Sequence, residues 1–387
     1  MILQGNSYQN GLPIQISFSE GIIDSISETQ ISLENDLIIG PGFTDIQVNG
    51  YGGIDYNEIQ RDPAKLAEIS KLLYQEGVTT HFPTLITNDA EQISQLILQI
   101  VSLRKMDELS RMSIEGLHIE GPFISPIDGP RGAHPKEFVC APDWSLVQKW
   151  QLESKGLIKM ITLSPEWENA NSFIEKCVEH GILVSIGHTN ATHQQILDAV
   201  RAGASLSTHL GNGMHPIIAR HPNYLWSQLA QDELGASIIA DGFHLQAEVI
   251  QVFQKVKKDK LILVSDSVSL AGMPPGDYEL HIGGEVTLTP EGKLHLKSNP
   301  SILAGSASNI RRGVSFLIQN KLASLSDAWE MASIRPQKLL NPGHVLFKEG
   351  AIADLILCRK DENGELKVIK TIKHGREVFS ASSSSNS

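Results

Sequence analysis

Beyond residue 41 the chain alternates short apolar runs with segments of helical period, which is the pattern of a parallel α/β architecture. Eight strands with crossover helices predict a closed (β/α)8 barrel, the TIM barrel fold. The alternative is a Rossmann-like open sheet, which is disfavoured because no GxGxxG motif follows any of the strands. The eight predicted strands are Phe43–Asn49, Val78–Leu85, Ile114–Glu120, Ile158–Ser164, Ile182–His188, Ser205–Leu210, Ser237–Asp241 and Leu261–Asp266.

The segments between these strands carry helix signals. Asp62–Glu76 has a single apolar stripe, formed by residues three and four positions apart. Between the fifth and sixth strands, Asn190 is the predicted N-cap of a helix and Gly203 its predicted stop. Two more helices are predicted after the eighth strand, around Asn309–Gln319 and Ser326–Ser333.

Both ends of the chain differ from this central pattern and are rich in short strands. Turn signals at Asn10-Gly11 and Glu20-Gly21 predict hairpins near the start, and hairpin-like sequence recurs at Asp277–Leu296. We expect the two terminal segments to pair as one small β-sandwich or β-sheet domain beside the barrel. The predicted organisation is residues 1–41 and 345–379 for the two parts of this small domain, 42–344 for the barrel, and 380–387 for a serine-rich disordered tail.

Composition and charge exclude several function classes. The net charge of −12 argues against a nucleic-acid partner, because little on the surface would neutralise phosphates. No apolar run approaches the roughly 20 residues that span a bilayer, and the first basic residue is Arg61, so no secretory signal is expected. Cys140, Cys177 and Cys358 form no disulfide framework, and we expect each to be a buried, apolar-like residue. The prediction is a cytoplasmic protein.

Residues of the metal-ligand type stand at the ends of four predicted strands. Glu120 ends the third strand and His188 the fifth, while His209 lies at the end of the sixth and Asp266 at the end of the eighth. The carboxyl ends of the strands form the active face of a TIM barrel, so these side chains should converge. Two imidazoles, a carboxylate and an open position make a common catalytic zinc site, and a bound metal lowers the pKa of its water towards neutrality. Asp266 would accept the proton of that water and pass it to the leaving group.

Each of these residues also has a plainer interpretation. A single histidine at a strand end is more often a hydrogen-bonded structural residue than a ligand, Glu120 can pair with an arginine, and an aspartate is often only a cap. Four such residues at four ends of one barrel favour a shared site, because independent structural roles have no reason to converge. His118, two positions before Glu120, is assigned to the surroundings of the metal.

Several short motifs occur together in a fixed order. They are Pro41–Gly53 (PGFTDIQVNGYGG), Gly116–Phe123 (GLHIEGPF), Arg131–His134 (RGAH), Gly187–Thr189, Thr208–Leu210, Ala240–His244 (ADGFH), Ser265-Asp266 and Leu303–Ser306 (LAGS). With these motifs the chain resembles the N-acetylglucosamine-6-phosphate deacetylases of the amidohydrolase superfamily, from its first residues to about Phe379. The resemblance implies hydrolysis of the acetamide of a 6-phosphorylated amino sugar, which gives acetate and the amino-sugar phosphate.

The resemblance also implies the metal and its ligands. One divalent ion, zinc first and iron or cobalt as alternatives, would lie on Glu120, His188 and His209, with the aspartate of the eighth strand as general acid/base. Most of the superfamily carries an HxH pair on the first strand that binds a more buried metal. Here those positions are Gln47 and Asn49, so the resemblance implies a single-metal site.

Further residues are implied as substrate contacts. His134 would polarise the acetyl carbonyl and stabilise the oxyanion. Arg220 and His244 would contact the sugar phosphate, with Arg220 reaching across the interface of a homodimer. The other implied substrate contacts are Asn212, Gly213, Leu303 and Gly305.

The loop after the sixth strand departs from the family pattern. Where the family reads THLFNAM, this chain has Gly211 in place of a bulky residue, Gly213 in place of a small one, and an added His215. The following segment Ile217–Trp226 is also unusual, and Arg220 within it can be read as an ordinary surface arginine. Two alternatives therefore stay open. One is the same hydrolysis of another N-acyl amino sugar, epimeric or unphosphorylated, and the other is a non-catalytic sugar-phosphate-binding homologue.

Overall fold

The computed structural model describes residues 1–29, 36–62, 64–280, 284–343 and 345–381. The strands are β1 (Ile2–Ser7), β2 (Pro13–Ser19), β3 (Ile22–Glu28), β4 (Leu37–Pro41), β5 (Phe43–Val48), β6 (Gly50–Tyr51), β7 (Ile54–Asp55), β8 (Val78–Ile86), β9 (Leu117–Glu120), β10 (Ile158–Leu163), β11 (Leu183–Ile186), β12 (Leu206–Ser207), β13 (Gly235–Ile238), β14 (Leu261–Leu263), β15 (Gly276–Leu280), β16 (Gly284–Leu288), β17 (Leu294–Leu296), β18 (Asn299–Leu303), β19 (Leu355–Lys360), β20 (Leu366–Lys373) and β21 (Arg376–Ser380). The α-helices are α1 (Ala64–Gln75), α2 (Ala90–Met106), α3 (Glu108–Ser113), α4 (Trp144–Glu153), α5 (Ala170–Glu179), α6 (His193–Arg201), α7 (Tyr224–Leu229), α8 (Ala247–Lys257), α9 (Ile310–Gln319), α10 (Leu325–Met331) and α11 (Ile334–Leu340).

Eight parallel strands form one sheet in the order β5-β8-β9-β10-β11-β12-β13-β14. A parallel bridge between Val48 and Ser267 joins the end of the first strand to the segment after the last, so the sheet is nearly closed. Each of the eight predicted strands is present in this sheet. The barrel prediction is therefore confirmed, and the Rossmann-like alternative is removed.

Apolar packing on both sides of the barrel wall fixes the direction of the side chains. Leu117 and Ile119 of β9 belong to the large core shared by the strands and the outer helices. Because side chains alternate along a strand, His118 and Glu120 face the barrel interior. A separate apolar cluster inside the barrel includes Ile46 and contacts the last turn of α11. Burial of one large aliphatic side chain is worth about 1.5–3 kcal/mol, so these two cores hold the strand ends in place.

The predicted helices are present, with one correction at an N-terminus. α1, α9 and α10 lie where helices were predicted, and α11 was not foreseen. α6 is capped by Thr192 and not by Asn190, because Thr192 and Gln195 form a reciprocal capping box. The backbone N–H of Asn190 instead donates to Oε2 of Glu166 at 2.8 Å. The helix ends shortly before Gly203, which has a φ of +113°.

The two terminal segments pair in one seven-stranded sheet with the order β21-β20-β19-β4-β1-β2-β3. β4 from the first segment is antiparallel to β19 from the last, which confirms that the termini build one small β domain, here a single sheet. β21 ends at Ser380, one residue into the predicted tail, and residues 382–387 lie outside the described part of the chain. The boundaries between the two domains stay a prediction.

Two expectations from composition can be compared with the structure. Cys177 and Cys358 are buried, but Cys140 is exposed, so the expectation of burial was wrong for that residue. Cys140 lies in the loop between β9 and α4, where neither core covers it. Within the described ranges, no helix combines the length and the apolar content needed to cross a membrane.

A four-stranded antiparallel sheet, β15 to β18, follows the barrel strands. It contains the hairpin predicted at Asp277–Leu296 and extends it by one more strand. Leu280, Leu296 and Ile302 of this sheet line the cleft at the carboxyl end of the barrel. The sheet therefore forms one apolar wall of the candidate site.

Candidate active site and metal centre

A cleft of about 550 Å³ opens at the carboxyl ends of the barrel strands. It collects most of the residues that the sequence singled out, while Gln47 lies buried beside it and Arg220 is exposed on the surface. The predicted site residues that line the cleft are Asn49, Glu120, His134, His188, His209, Asn212, Gly213, His244, Asp266, Leu303 and Gly305.

Three donor atoms in this cleft face one another. Oε1 of Glu120 lies 3.0 Å from Nε2 of His209 and 3.4 Å from Nε2 of His188, and the two Nε2 atoms are 3.1 Å apart. Tetrahedral zinc with bonds of 2.0–2.1 Å would place its ligand atoms about 3.3 Å from one another. The donor set therefore fits one small divalent ion in both chemistry and spacing.

His134 is a further imidazole near this group. One of its ring nitrogens lies within 4.8 Å of donor atoms of Glu120 and His188, so these three residues also form a possible ligand set. Nδ1 of His134, however, lies 2.8 Å from Oγ1 of Thr87. The tighter spacing favours His209 over His134 as the third ligand.

The backbone turns sharply at three of the candidate residues. His188, His209 and Asp266 have φ values of 47°, 29° and 48°. The left-handed region is unfavourable for residues other than glycine and is kept only where the surroundings impose it. At His188 one such constraint is visible, since its Nδ1 lies 2.9 Å from the carbonyl of Pro130. That bond takes the Nδ1 proton and leaves the Nε2 lone pair facing the cleft.

The electrostatics of the group favour a cation. Burial would raise the pKa of Glu120, but the adjacent imidazoles of His188 and His209 outweigh it and hold the pKa well below its ordinary value. Burial likewise opposes the charge on His209, yet the contact with Glu120 raises the pKa of that imidazole. A buried carboxylate here recruits positive charge, which a divalent ion supplies.

Gln47 and Asn49, which the family resemblance assigned to the place of a second metal, contact the carboxylates of the site. Nε2 of Gln47 donates to Oε1 of Glu120 at 2.9 Å, and Nδ2 of Asn49 donates to Oδ1 of Asp266 at 2.8 Å. Both side chains are buried. Each amide N–H therefore orients a carboxylate of the site.

Asp266 and His134 have pKa values suited to proton transfer and to hydrogen bonding. Burial, together with the charge of Glu120, raises the pKa of Asp266 to about 6. Burial and the neighbouring His188 lower the pKa of His134 to about 3, so its ring is neutral near pH 7. With Nδ1 engaged by Thr87, the other ring nitrogen of His134 is the one free to contact a substrate.

His244 lines the same cleft and is held by a carboxylate. Its Nδ1 lies 2.7 Å from Oδ2 of Asp241, and Oδ1 of Asp241 accepts the backbone N–H groups of Phe243 and His244. These bonds fix the ring by its Nδ1 edge. Burial opposes the charge of Asp241, but the bond to His244 outweighs it and lowers the pKa of the carboxyl.

The loop after His209 approaches the metal centre through glycine. Gly213 has a φ of +57°, and a Cβ atom there would lie 2.8 Å from Nδ1 and Cε1 of His188. The absence of a side chain thus lets this backbone lie against the ring of a candidate ligand. Farther along, His215 is anchored by the hydroxyl of Tyr224, which lies 2.9 Å from both its backbone nitrogen and its Nδ1.

Arg220 does not line the cleft of its own chain. It is exposed, in a segment where Ile217 is 89% exposed and Trp226 51% exposed. A single chain therefore leaves this arginine and its apolar neighbours facing outward.

Sequence reasoning missed two residues that shape the cleft. Thr87 follows the end of β8, so extending the search for polar residues at strand ends to the second barrel strand would have found it. Asp241 lies within the quoted ADGFH motif, three residues before His244, but its role depends on the turn between them. His118 lies in the barrel interior, 2.7 Å from Oγ1 of Thr162.

Comparison with known proteins agrees with this geometry. The amidohydrolase family model matches residues 38–378. The chain is 32% identical to N-acetylglucosamine-6-phosphate deacetylase of Bacillus subtilis over 94% of this chain and 92% of that protein, and 30% identical to the Homo sapiens enzyme of the same name over 89% and 84%. The crystal structure of N-acetylglucosamine-6-phosphate deacetylase from Pasteurella multocida superposes with a TM-score of 0.85 at 26% identity, covering 98% of this chain and 100% of the other. The resemblance seen in the motifs is confirmed, and the chain belongs to the amidohydrolase family.

Proposed function

We propose that the protein hydrolyses the acetamide of N-acetylglucosamine 6-phosphate to glucosamine 6-phosphate and acetate, with one divalent metal held by Glu120, His188 and His209. The observation that carries the proposal is the convergence of these three donor atoms within 3.4 Å of one another beside half-buried Asp266. Relatives across most of the chain's length carry the same activity in their names.

The metal site is proposed to hold a single ion. A divalent metal in this position supplies Lewis acidity and lowers the pKa of a bound water towards neutrality. Two imidazoles and one carboxylate suit zinc best, and iron and cobalt as well. Gln47 and Asn49 would not complete a second site, because their amide nitrogens donate to Glu120 and Asp266.

Asp266 is the proposed general acid/base. Asn49 holds one of its oxygens at 2.8 Å, and the carboxylate lines the cleft beside the three metal donors. From this position it takes a proton from the attacking water and gives it to the departing amine nitrogen. A pKa near 6 lets one carboxyl group serve both steps near neutral pH.

His134 is proposed to bind the acetyl oxygen. Its ring is neutral and is oriented by Thr87 through Nδ1, so Nε2 can donate a hydrogen bond into the cleft. A fixed donor aimed at the developing oxyanion stabilises the transition state more than the ground state. Because the ring is already in place, little reorganisation is needed during the reaction.

The sugar phosphate is proposed to lie between the loop after β12 and the apolar sheet. His244, Asn212, Gly213, Leu303 and Gly305 all line the cleft. Arg220 would come from a second copy of the chain in a homodimer. This assignment explains why the arginine and the apolar residues beside it face outward in a single chain.

A second candidate keeps the chemistry and changes the substrate to another N-acyl amino sugar, epimeric or unphosphorylated. The observation that favours it is the loop containing Gly211 and Gly213, whose backbone at φ +95° and +57° follows a path that side chains would oppose. A non-catalytic binder is less well supported, since such a protein would have no use for Asp266 beside a metal site.

The test is acetate release by the zinc-loaded protein from four sugars: N-acetylglucosamine, N-acetylmannosamine and their 6-phosphates. We expect kcat/KM for N-acetylglucosamine 6-phosphate to exceed that for the free sugar by about 10-fold to 100-fold, as charge-assisted phosphate contacts provide about 1.5–3 kcal/mol. Preference for a free or an epimeric sugar would favour the second candidate. Absence of acetate release from all four would contradict the deacetylase assignment.

Two further expectations belong with this proposal. The cytoplasm is the expected compartment, because the three cysteines form no disulfide framework in the sequence. The division into a barrel at 42–344 and a small domain from residues 1–41 and 345–379 is the proposed domain organisation, with the paired β4 and β19 as its structural support.

A further inference from the structure

Glu166 lies just beyond the end of β10 and binds three loops at once. Its Oε1 accepts a hydrogen bond from Oγ of Ser125 at 2.8 Å. Its Oε2 accepts one from Oγ of Ser164 and one from the backbone N–H of Asn190, each at 2.8 Å. The three donors belong to the loops that follow β9, β10 and β11. One carboxylate therefore joins three neighbouring loops at the active face of the barrel.

The same loops hold both sides of His188. The backbone N–H of Ser125 donates to the carbonyl of His188 at 2.9 Å. The residue before it, Gly187, donates to the carbonyl of Leu163 at 3.1 Å. The residue after it, Thr189, places Oγ1 at 2.8 Å from Oγ of Ser164. Thus Ser125 and Ser164, which donate to Glu166, also contact the segment that carries the candidate metal ligand.

His188 needs such support because of its backbone. With a φ of 47°, it occupies a region that costs a non-glycine residue on the order of 1–3 kcal/mol. Its Nε2 must also stay within about 3.4 Å of Oε1 of Glu120. Relaxation of the backbone at this one residue would move the imidazole away from the other two donors.

We propose that Glu166 is a positioning residue for the metal site: by joining the loops after β9, β10 and β11, it holds His188 in its left-handed conformation with Nε2 towards Glu120 and His209. Without the carboxylate, two hydroxyls and one backbone N–H lose their shared acceptor, and the three loops around His188 are no longer joined by hydrogen bonds to one residue. The proposal rests on the metal site of the proposed function but not on the identity of the sugar.

The experiment measures zinc affinity of metal-stripped protein by competition with a chromogenic chelator. Glu166→Ala should weaken zinc binding by about 10-fold to 100-fold, which is typical when a group supporting a metal ligand is removed. Glu166→Gln should stay within about 3-fold of the native affinity, because its amide oxygen can accept from Ser164 and Asn190 and its amide nitrogen can donate to the Ser125 hydroxyl. Glu168→Ala, at an exposed position two residues away, is the matched control and should bind zinc as the native protein does.

Two additional variants separate positioning from general loss of stability. Leu3→Ala removes a buried side chain of the small sheet and should lower Tm without changing zinc affinity. Ser125→Ala removes one bond to Glu166 and should weaken zinc binding by a few fold, even if Glu166→Ala does not fold. Native affinity in both Glu166→Ala and Ser125→Ala would overturn the proposal, as would equal losses in Glu166→Ala and Glu166→Gln. If the native protein binds no zinc, the proposed metal site is wrong. If the native protein binds zinc and Glu166→Ala binds it equally well, only the positioning role of Glu166 is wrong.

Discussion

The candidate metal centre and the loop that follows it are neighbours in the chain but are held in different ways. Glu120, His188 and His209 are buried, and their candidate donor atoms lie within 3.4 Å of one another. The loop from 211 to 226 begins with glycines at positive φ and continues through exposed Ile217 and Trp226. Under the proposed function, the barrel residues would carry out the reaction, and the surface segment 211–226 would determine which sugar is bound.

Among changes to the barrel residues of the site, Asp266→Asn should reduce the rate of acetate release most. Loss of a general acid/base costs about 10²-fold to 10⁴-fold in rate, so kcat for acetate release should fall by that factor. Zinc content should stay at the native level, because the three proposed ligands are unchanged. Both quantities are measured on the same purified sample.

Asp259→Asn serves as the control for this variant, since Asp259 is exposed and lies in a short turn away from the cleft. It should have native activity. Loss of zinc in Asp266→Asn would show that the aspartate is a metal ligand, which would contradict its assigned role.

His134→Asn should have the next largest effect. Removal of an oxyanion donor lowers kcat by about 10²-fold to 10³-fold, with zinc content preserved. Metal analysis of these variants decides whether His134 or His209 is the third metal ligand. The question arises because His134 also lies within ligand distance of Glu120 and His188. Zinc lost on His134→Asn but kept on His209→Asn would replace His209 by His134 in the ligand set.

On the loop side, Arg220→Ala should raise KM for the phosphorylated sugar by about 10-fold to 100-fold and leave turnover of the free sugar unchanged. Steady-state kinetics on both sugars provide the measurement. Arg201→Ala removes another exposed arginine, one that pairs with Asp198 on α6, and should change neither KM.

A mixing experiment tests whether Arg220 acts across a dimer. Arg220→Ala chains mixed with Asp266→Asn chains should recover sites of native KM, because a hybrid joins an intact Asp266 to an intact Arg220 from the other copy. If the mixture, after subunit exchange, shows only the kinetics of the two separate variants, Arg220 does not contribute to the active site of the other copy.

The smallest effect is expected where the two regions touch. Gly213→Ala places a Cβ atom 2.8 Å from the ring of His188, so zinc affinity should fall by a few fold. Gly181→Ala is a close control, because Gly181 has a φ of +70° with nothing within 4 Å of the added atom. Both variants should lose about 1 kcal/mol of folding stability from the strained φ. Equal zinc affinity in the two would show that the loop does not support the ligand.

The barrel and the convergence of the candidate ligands at one end of it were predictable, because each rests on a local pattern. An apolar run ending in Glu120 or His188 marks a buried strand and its carboxyl end, and eight such runs define the barrel. The hairpins near Gly11 and Gly21 were readable for the same reason, since the turn chemistry is local.

Features that depend on contacts between distant segments were not predictable. Asn190 is a residue type that often caps helices, but its backbone N–H donates to Glu166 and the helix begins after Thr192, which is the N-cap. His188 and His209 adopt a left-handed backbone conformation that histidine does not predict. Cys140 has apolar neighbours in sequence, yet its loop is exposed. In each case the surrounding fold decides the outcome.

Deacetylation is proposed to depend on one metal ion per chain, held by Glu120, His188 and His209. Zinc titration of the metal-stripped protein, followed by acetate release from N-acetylglucosamine 6-phosphate, tests it directly. Activity should rise linearly with added zinc and reach its plateau at one equivalent per chain. A plateau at two equivalents, or activity that does not depend on added metal, would contradict the single-metal proposal.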